Sequence, residues 1–170
     1  MRLTPVDYGA HLGQLMAQLA DPGLLLVVPD TRRPANVMTI GWALFGRVWS
    51  QPICSVLVRP SRYTFGLINR AGVFSVNRMP AGYDEAVARC GAVSGREVDK
   101  IGEQGWTVAR GQSLDVPYIA EAALHVECRV VFTNPVTDAL DAELLASCYP
   151  RGDLHTIYHG LVTGVFRHQG

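Results

Sequence analysis

The stretch AALHVECRVVFT, residues 122–133, places an apolar side chain at every second position. This period of two is that of a β-strand with one buried face. A second stretch, ICSVLVR at residues 53–59, is apolar on both faces, which is typical of a strand inside a barrel or sandwich rather than at the edge of a sheet. The two stretches together predict a mainly β protein.

The rest of the chain consists mostly of short β-rich runs separated by Pro, Gly and Asn. Further strands are predicted at Leu24–Val28, at 37–49 with an interruption around Gly46, at 73–77 and at 157–168. Helices are predicted at 8–19, 61–70, 83–90 and 138–149, with Ser61 and Asp138 as the N-caps of the second and the fourth. Because helices do not alternate regularly with strands, a doubly wound parallel sheet is disfavoured. We expect a closed antiparallel barrel with helices in its longer connections.

The length of 170 residues predicts a single domain, residues 1–170. Hydrophobic residues make up 48% and charged residues 18%, which excludes intrinsic disorder. The 15 basic residues balance the 15 acidic ones and form no runs, so neither nucleic acid nor an anionic membrane is an expected partner. The low charge indicates that a second subunit or a cofactor covers part of the apolar surface.

The four cysteines lie far apart and form no C-x-x-C pair. Zinc needs clustered ligands, so no metal site is predicted. Nothing at the start of the chain resembles a signal peptide, and the longest aliphatic run, Leu24–Val28, is far too short to span a bilayer. Unpaired cysteines without an export signal indicate a cytoplasmic protein whose thiols serve as small buried side chains.

The patterns of common catalytic sites are absent from the sequence: it contains no G-x-S-x-G, no G-x-x-x-x-G-K-[ST] and no H-E-x-x-H. His155 and His159 are four residues apart, but they lie in a segment that reads as a turn entering a strand. They would not share a helical face there. Local hydrogen bonds are therefore expected of both histidines, rather than metal binding.

A candidate anion site follows the strand at residues 53–59. The sequence RPSRYT, residues 59–64, ends this strand with Pro60 and places Ser61 and two arginines around the start of a helix. Free N–H groups at a helix N-terminus, a hydroxyl and a guanidinium together suit a phosphate monoester. An ordinary capped helix with solvated arginines explains the same pattern.

Two further segments admit both a binding and a structural explanation. The turn SGREVDK, residues 94–100, carries Arg96 and Lys100 and suits a negatively charged group; alternatively, Asp99 caps the turn that begins at Lys100 and the cations are solvated. The segment NVMTIGWA, residues 36–43, mixes hydrogen-bonding side chains, small residues and one aromatic. It suits a flat heteroaromatic ligand lying along the backbone, and a plain barrel strand explains it as well.

Taken in their order along the chain, the sequence motifs resemble those of the flavin reductase-like, flavoredoxin-type family. The resemblance rests on NVMTIGWA, RPSRYT, the G-x-F-x-V-N of residues 72–77, the C-G-x-x-S-G-R-x-x-D-K of residues 90–100, LHVECRVV and HTIYHG. It runs from about residue 24 to residue 166. It implies an antiparallel, Greek-key split β-barrel that binds FMN and forms a homodimer, with the flavin held near the subunit interface.

The resemblance also implies which residues bind the cofactor. Those expected beside the isoalloxazine and the ribityl chain are Asn36, Val37, Met38, Thr39 and Trp42. Those expected at the phosphate are Arg59, Ser61, Arg62 and Thr64, and those expected to close over the flavin are Ser94, Gly95, Arg96 and Lys100. No catalytic side chain is implied, because the flavin N5 carries the hydride. One departure is that members often have Gly-Glu where this chain has Gly160-Leu161.

The implied function is that of a flavin reductase, which uses NADH or NADPH to reduce FMN and can serve a partner monooxygenase or another redox protein. Two alternatives belong to other classes. One is an electron carrier of the flavoredoxin kind, which holds FMN tightly and passes electrons between proteins. The other is the same type of barrel binding a different cofactor, such as haem or a deazaflavin.

Overall fold

The strands make up most of the regular structure in the computed structural model, which describes residues 2–169. In chain order they are β1 (Arg2–Pro5), β2 (Leu24–Val28), β3 (Asn36–Ile40), β4 (Ala43–Val48), β5 (Gln51–Val58), β6 (Val73–Arg78), β7 (Val108–Arg110), β8 (Pro117–Ile119), β9 (Leu124–Pro135) and β10 (Thr156–Gln169). The helices are α1 (Leu12–Ala20), α2 (Tyr63–Ala71), α3 (Asp84–Ala92), α4 (Lys100–Glu103) and α5 (Ala142–Cys148). A short 3-10 turn, Gly9–His11, precedes α1.

Eight of the described strands form one antiparallel sheet in the order β3-β2-β6-β9-β10-β5-β4, with β1 added to β10. The two ends of this order, β3 and β4, are consecutive in the chain and are joined by Gly41 and Trp42 alone. The fold is a split antiparallel β-barrel with few helices. The predicted fold class is therefore confirmed. None of the helices within residues 2–169 is long and apolar enough to cross a membrane.

Strand β2 is buried on both faces, which explains its unbroken aliphatic sequence. Leu24, Leu26 and Val28 belong to the barrel core, together with side chains of β5, β6, β9, α1 and α2. Leu25 and Val27 belong to a second apolar cluster, formed with α3, α4 and β8. This second cluster fixes α3 and the following residues 93–100 against the outside of the barrel, next to β3.

One strand prediction is wrong in detail. The break within residues 37–49 falls at Gly41 and Trp42, whereas Gly46 lies inside β4 and pairs with Ile53. The hairpin between β4 and β5 turns at Trp49 and Ser50, both with positive φ (54° and 57°). Such a two-residue turn usually carries Gly or Asn, so residues 49 and 50 do not signal a turn.

Both predicted N-caps are also wrong. Helix α2 begins at Tyr63 with Arg62 at the N-cap position and no side-chain cap, and the Ser61 hydroxyl bonds to a carboxylate of a distant loop. Helix α5 is shorter than predicted and is capped by Asp141 rather than Asp138, with the Asp141 carboxylate accepting from two backbone N–H groups. Of the structural explanation for residues 94–100, the Asp99 cap is present, since its carboxylate accepts the Gly102 N–H, but Lys100 is buried rather than solvated.

Three of the four cysteines are buried as expected, but Cys148 is only partly buried at the end of α5. Gly160 lies where β10 passes closest to the barrel core. A Cβ at this position would lie 2.5 Å from the Phe74 ring and 2.8 Å from the Cys128 Cβ. The neighbouring Leu161, where the family often has Glu, is half-buried and pairs with Ile53 and Arg129.

Candidate functional site

Two adjoining cavities open beside β3 and share Met38 and Arg62. Cavity 1, of about 130 Å³, lies between the start of α2 and residues 90–100. Cavity 2, of about 210 Å³, lies between residues 38–42 and the start of β10. The two cavities together form one groove. Residues of β3, of the turn before α2 and of the segment after α3 line it.

The groove brings together most of the residues that the sequence singled out. All of the predicted cofactor-binding residues except Asn36 and Val37 line one or both cavities. Asn36 is buried behind the residues that line cavity 1, where its side-chain amide donates to Thr64 Oγ1 at 2.9 Å. Val37 packs in the apolar cluster beneath α3. Side chains from three separate stretches of sequence thus meet at one site.

The groove is positively charged. Arg59, Arg62, Arg96 and Lys100 line it, whereas no aspartate or glutamate among residues 2–169 does so. The exposed guanidinium of Arg62 makes no hydrogen bond to any described residue, and it lines both cavities. This arrangement favours an anionic ligand.

Two of the predicted anion ligands already have partners in the protein. The Arg59 guanidinium donates to the carbonyl oxygens of Cys148 and Asp153, each at 3.1 Å, and packs over the Tyr149 ring. The hydroxyl and backbone N–H of Ser61 both donate to the Asp153 carboxylate. The loop between α5 and β10 therefore competes for these two residues.

Two hydroxyl groups of cavity 1 keep a proton that no described residue accepts. Thr64 Oγ1 accepts the bond from Asn36, and Ser94 Oγ accepts the Arg96 N–H at 3.2 Å. A hydroxyl has one proton to donate in addition to what it accepts. Thr64 and Ser94 can therefore each donate to a ligand in the cavity.

Lys100 is buried at the base of cavity 1. Its amine donates to the carbonyl oxygens of Cys90 at 2.9 Å and Val93 at 3.3 Å, at the carboxyl end of α3. Burial, reinforced by the charge of Arg62, lowers the pKa of this amine to about 8. Burial also raises the pKa of the Cys90 thiol to about 11, so this thiol is protonated at neutral pH and is a poor nucleophile.

Tyr63 fixes the outer wall of cavity 1. Its ring lies between the guanidinium groups of Arg32, 4.7 Å from the ring centroid, and Arg96, at 5.7 Å. Arg32 donates to the Gly95 carbonyl and Arg96 to the Ser61 carbonyl. The Arg96 bond connects residues 94–96 with the turn before α2, and the Arg32 bond connects them with the loop between β2 and β3. A Cβ at Gly95 would collide with the Asn36 amide, so only glycine fits there.

His155, of which the sequence predicted local hydrogen bonds but no place in the binding site, closes cavity 2. His155 lines the cavity, its Nδ1 lies 2.8 Å from the Tyr149 hydroxyl, and its ring lies 5.0 Å from the Trp42 ring. Burial and the charge of Arg59 lower the pKa of His155 to about 4, so the imidazole is neutral at neutral pH. The HTIYHG motif was a signal for this residue. His159 lies on the outer face, bonded to Ser55.

Comparisons with known proteins give a family and several solved structures of similar fold. Residues 16–170 match the model of a family described as flavin reductase like domain. The flavoredoxin of Methanosarcina acetivorans is 29% identical, with a TM-score of 0.70 over 87% of this chain and 69% of that one. The FMN-binding protein of Thermus thermophilus, solved with bound 1-cyclohex-2-enone, is 25% identical, with a TM-score of 0.68 over 87% of this chain and 71% of that one.

A curated protein of Aeropyrum pernix, described as uncharacterized, is 37% identical over 84 residues, which make up 49% of this chain and 32% of that protein. The matches to the curated relatives span 32% and 59% of those proteins' lengths.

Proposed function

Because the chain belongs to the flavin reductase-like family, we propose that it is an oxidoreductase that binds FMN in the groove formed by cavities 1 and 2. One observation carries the proposal: residues from three distant stretches of sequence line a single groove, and the only charges among the described lining residues are positive. A flat ligand with an anionic end fits such a groove. The FMN-binding protein of Thermus thermophilus, similar in sequence and fold, supports the same choice of ligand.

In this proposal the two cavities hold different parts of FMN. Met38, Thr39 and Trp42 flank the ring system and ribityl chain in and beside cavity 2. The phosphate is held in cavity 1, where Arg62 supplies an uncommitted charge, Thr64 and Ser94 supply hydroxyl protons, and Lys100 supplies a buried charge. Ser61 and Arg59 would contribute only if the loop at Asp153 released them.

Bound FMN would supply a hydride acceptor and donor, so the protein needs no acid or base at the reacting atom. The chain's own contribution is to bind, orient and partly enclose the flavin. His155 adds a neutral hydrogen-bonding group at the edge of cavity 2, where it puts no charge beside the ring system. We propose NADH or NADPH as the electron donor.

A second candidate function is that of an electron carrier with permanently bound FMN. The similarity to the flavoredoxin of Methanosarcina acetivorans, at 29% identity and a TM-score of 0.70, favours it. A carrier purifies with flavin and reacts slowly with nicotinamide cofactors, whereas a reductase releases flavin and consumes NADH or NADPH. A visible spectrum of the purified protein, followed by stopped-flow mixing with each nucleotide, separates the two functions.

We further propose that the protein acts as a cytoplasmic homodimer, from which a monooxygenase or another redox protein receives electrons. The four unpaired thiols support a reducing compartment. Exposed apolar side chains on β4 and β9 support a second subunit covering the outer face of the barrel.

The test of FMN binding is an Arg62→Ala variant. Removing one charged hydrogen-bond donor costs about 1.5–3 kcal/mol, so we expect FMN binding to weaken roughly ten- to a hundredfold. Riboflavin has no phosphate, and its affinity should stay unchanged. Both affinities can be measured by the quenching of flavin fluorescence.

Arg70→Ala is the matched control, because Arg70 is an exposed arginine at the opposite end of the same helix. It should leave both affinities unchanged. A parallel loss of FMN and riboflavin binding in Arg62→Ala would show that Arg62 supports the fold rather than the phosphate. Failure of the wild-type protein to bind either flavin would reject the proposed function itself.

A further inference from the structure

The carboxylate of Asp153 binds both hydrogen-bond donors that Ser61 brings to the groove. The Ser61 N–H donates to Asp153 Oδ1 at 3.2 Å, and the Ser61 hydroxyl donates to Asp153 Oδ2 at 2.5 Å. Each group has a single proton, so neither can serve a second acceptor while the carboxylate stays in place. Asp153 therefore occupies the position before α2 that an anionic ligand would otherwise use.

The surrounding chain holds Asp153 there. Its backbone has a φ of 58°, in the left-handed region that residues with a side chain seldom adopt. Arg59 donates to the carbonyl oxygen of Asp153 at 3.1 Å and to that of Gly152 at 3.4 Å. The loop between α5 and β10 is thus clamped to the end of β5, and it presents the carboxylate at a fixed position.

The carboxylate of Asp153 is charged at neutral pH. The side chain is exposed; although its slight burial acts in the opposite direction, the hydrogen bonds from Ser61 and the charge of Arg59 lower its pKa. Ser61 lines cavity 1 and is bonded to Asp153, so the negative charge of Asp153 lies next to a cavity whose lining charges are positive. This charge repels a phosphate and has little effect on an uncharged ligand.

We propose that Asp153 is a specificity-determining residue: it competes with the phosphate of FMN for Ser61 and so reduces the preference of the site for FMN over riboflavin. The proposal rests on the proposed function, since it concerns flavin bound in the groove. It predicts that FMN is held by Arg62, Thr64, Ser94 and Lys100 without Ser61, and that it exchanges more readily than it would if Ser61 were free.

The test compares FMN and riboflavin affinities, measured by fluorescence quenching, in Asp153→Asn and Asp153→Gly. Asparagine and glycine both tolerate a positive φ, so the loop keeps its conformation. Asp153→Gly removes both the charge and the acceptor, so it should tighten FMN binding roughly two- to tenfold, with riboflavin affinity unchanged within about twofold. Asp153→Asn removes the charge but keeps an oxygen that can accept from Ser61, so its effect should have the same direction and be smaller. Asp138→Asn, an exposed aspartate before α5, is the charge-matched control and should change neither affinity.

Unchanged or weaker FMN binding in both variants, while the wild-type protein binds FMN, would overturn the role of Asp153 and leave the proposed function intact. A parallel change in FMN and riboflavin affinity would overturn it as well, because competition for a phosphate ligand cannot alter riboflavin binding. Absence of flavin binding by the wild-type protein would instead reject the proposed function.

Discussion

Lys100 is the only lysine of the chain, and its amine lies buried between the end of α3 and cavity 1. Because burial lowers its pKa to about 8, the amine is charged at neutral pH and becomes neutral in mildly alkaline solution. A neutral amine is a weaker partner for phosphate. We therefore expect FMN affinity to fall about tenfold between roughly pH 7 and pH 9.5, as one charge-assisted hydrogen bond is lost. Riboflavin affinity should not change over this range.

The isolation of this lysine makes the measurement direct. Selective carbon-13 labelling of lysine gives one side-chain signal, whose titration reports the pKa in the free and the FMN-bound protein without removing the protons that the amine donates. Binding of the phosphate should raise this pKa. Lys100→Gln should bind FMN with little dependence on pH in the same range. A steep alkaline loss of FMN binding that persists in Lys100→Gln would assign the titration to another group.

At the scale of secondary structure, β9 anchors the segment after β7 through a single side chain. Glu127 is fully buried, and its carboxylate accepts the backbone N–H groups of Gln112, Ser113 and Leu114 and the Ser113 hydroxyl. Although burial acts in the opposite direction, these bonds and that from His125 lower the pKa of Glu127 to about 2. The carboxylate is thus far more stable in the folded protein than in the unfolded chain.

This shift predicts a loss of stability in acid. The contribution of Glu127, about 3 kcal/mol, is complete above the ordinary glutamate pKa and disappears as the pH falls from about 4.5 to 2. Glu127→Gln should lower the free energy of unfolding by about 3 kcal/mol at pH 7, measured by urea denaturation, and should flatten the dependence on pH below 4.5. The Glu121 carboxylate accepts only the Thr107 N–H, which a glutamine oxygen can still accept, so Glu121→Gln should cost about 1 kcal/mol or less. Equal losses in the two variants would contradict the assignment.

The strands and helices that could be predicted are those whose local sequence pattern reflects their burial or their backbone conformation. The alternation in β9 reflects one buried face, and the aliphatic run of β2 reflects two. Helix α2 ends at Gly72 because the left-handed conformation there (φ 63°) suits glycine. The turn at Trp49 and Ser50 carried no such signal. For the candidate site, the sequence predicted most of the residues that line the groove, but not the partners of those residues within the protein. The bonds of Ser61 and Arg59 depend on a loop about 90 residues away, which local sequence does not encode.

At the scale of the whole molecule, one row of residues crosses the outer face of four strands. Leu44 of β4 pairs with Ser55 of β5, Ser55 pairs with His159 of β10, and His159 pairs with Phe132 of β9. Directly paired residues point to the same side of a sheet, so these side chains share the outer face. Trp49 joins them, with its ring 6.1 Å from that of Phe132. Leu44 is 66% exposed, Trp49 59% and Phe132 50%.

An apolar face of this kind needs a covering surface, and we expect a second copy of the chain to provide it. A stable interface buries more than about 1,000 Å² in total, and a charge placed at its centre would be left buried and unpaired. Leu44→Asp should therefore shift the protein from dimer to monomer in sedimentation velocity at micromolar concentration. Leu144→Asp is the matched control, since Leu144 is 51% exposed on α5 and is not part of the four paired strands, and it should leave the dimer intact. A wild-type protein that sediments as a single species of 18.5 kDa would contradict the dimer, and an intact Leu44→Asp dimer would place its interface on another face of the barrel.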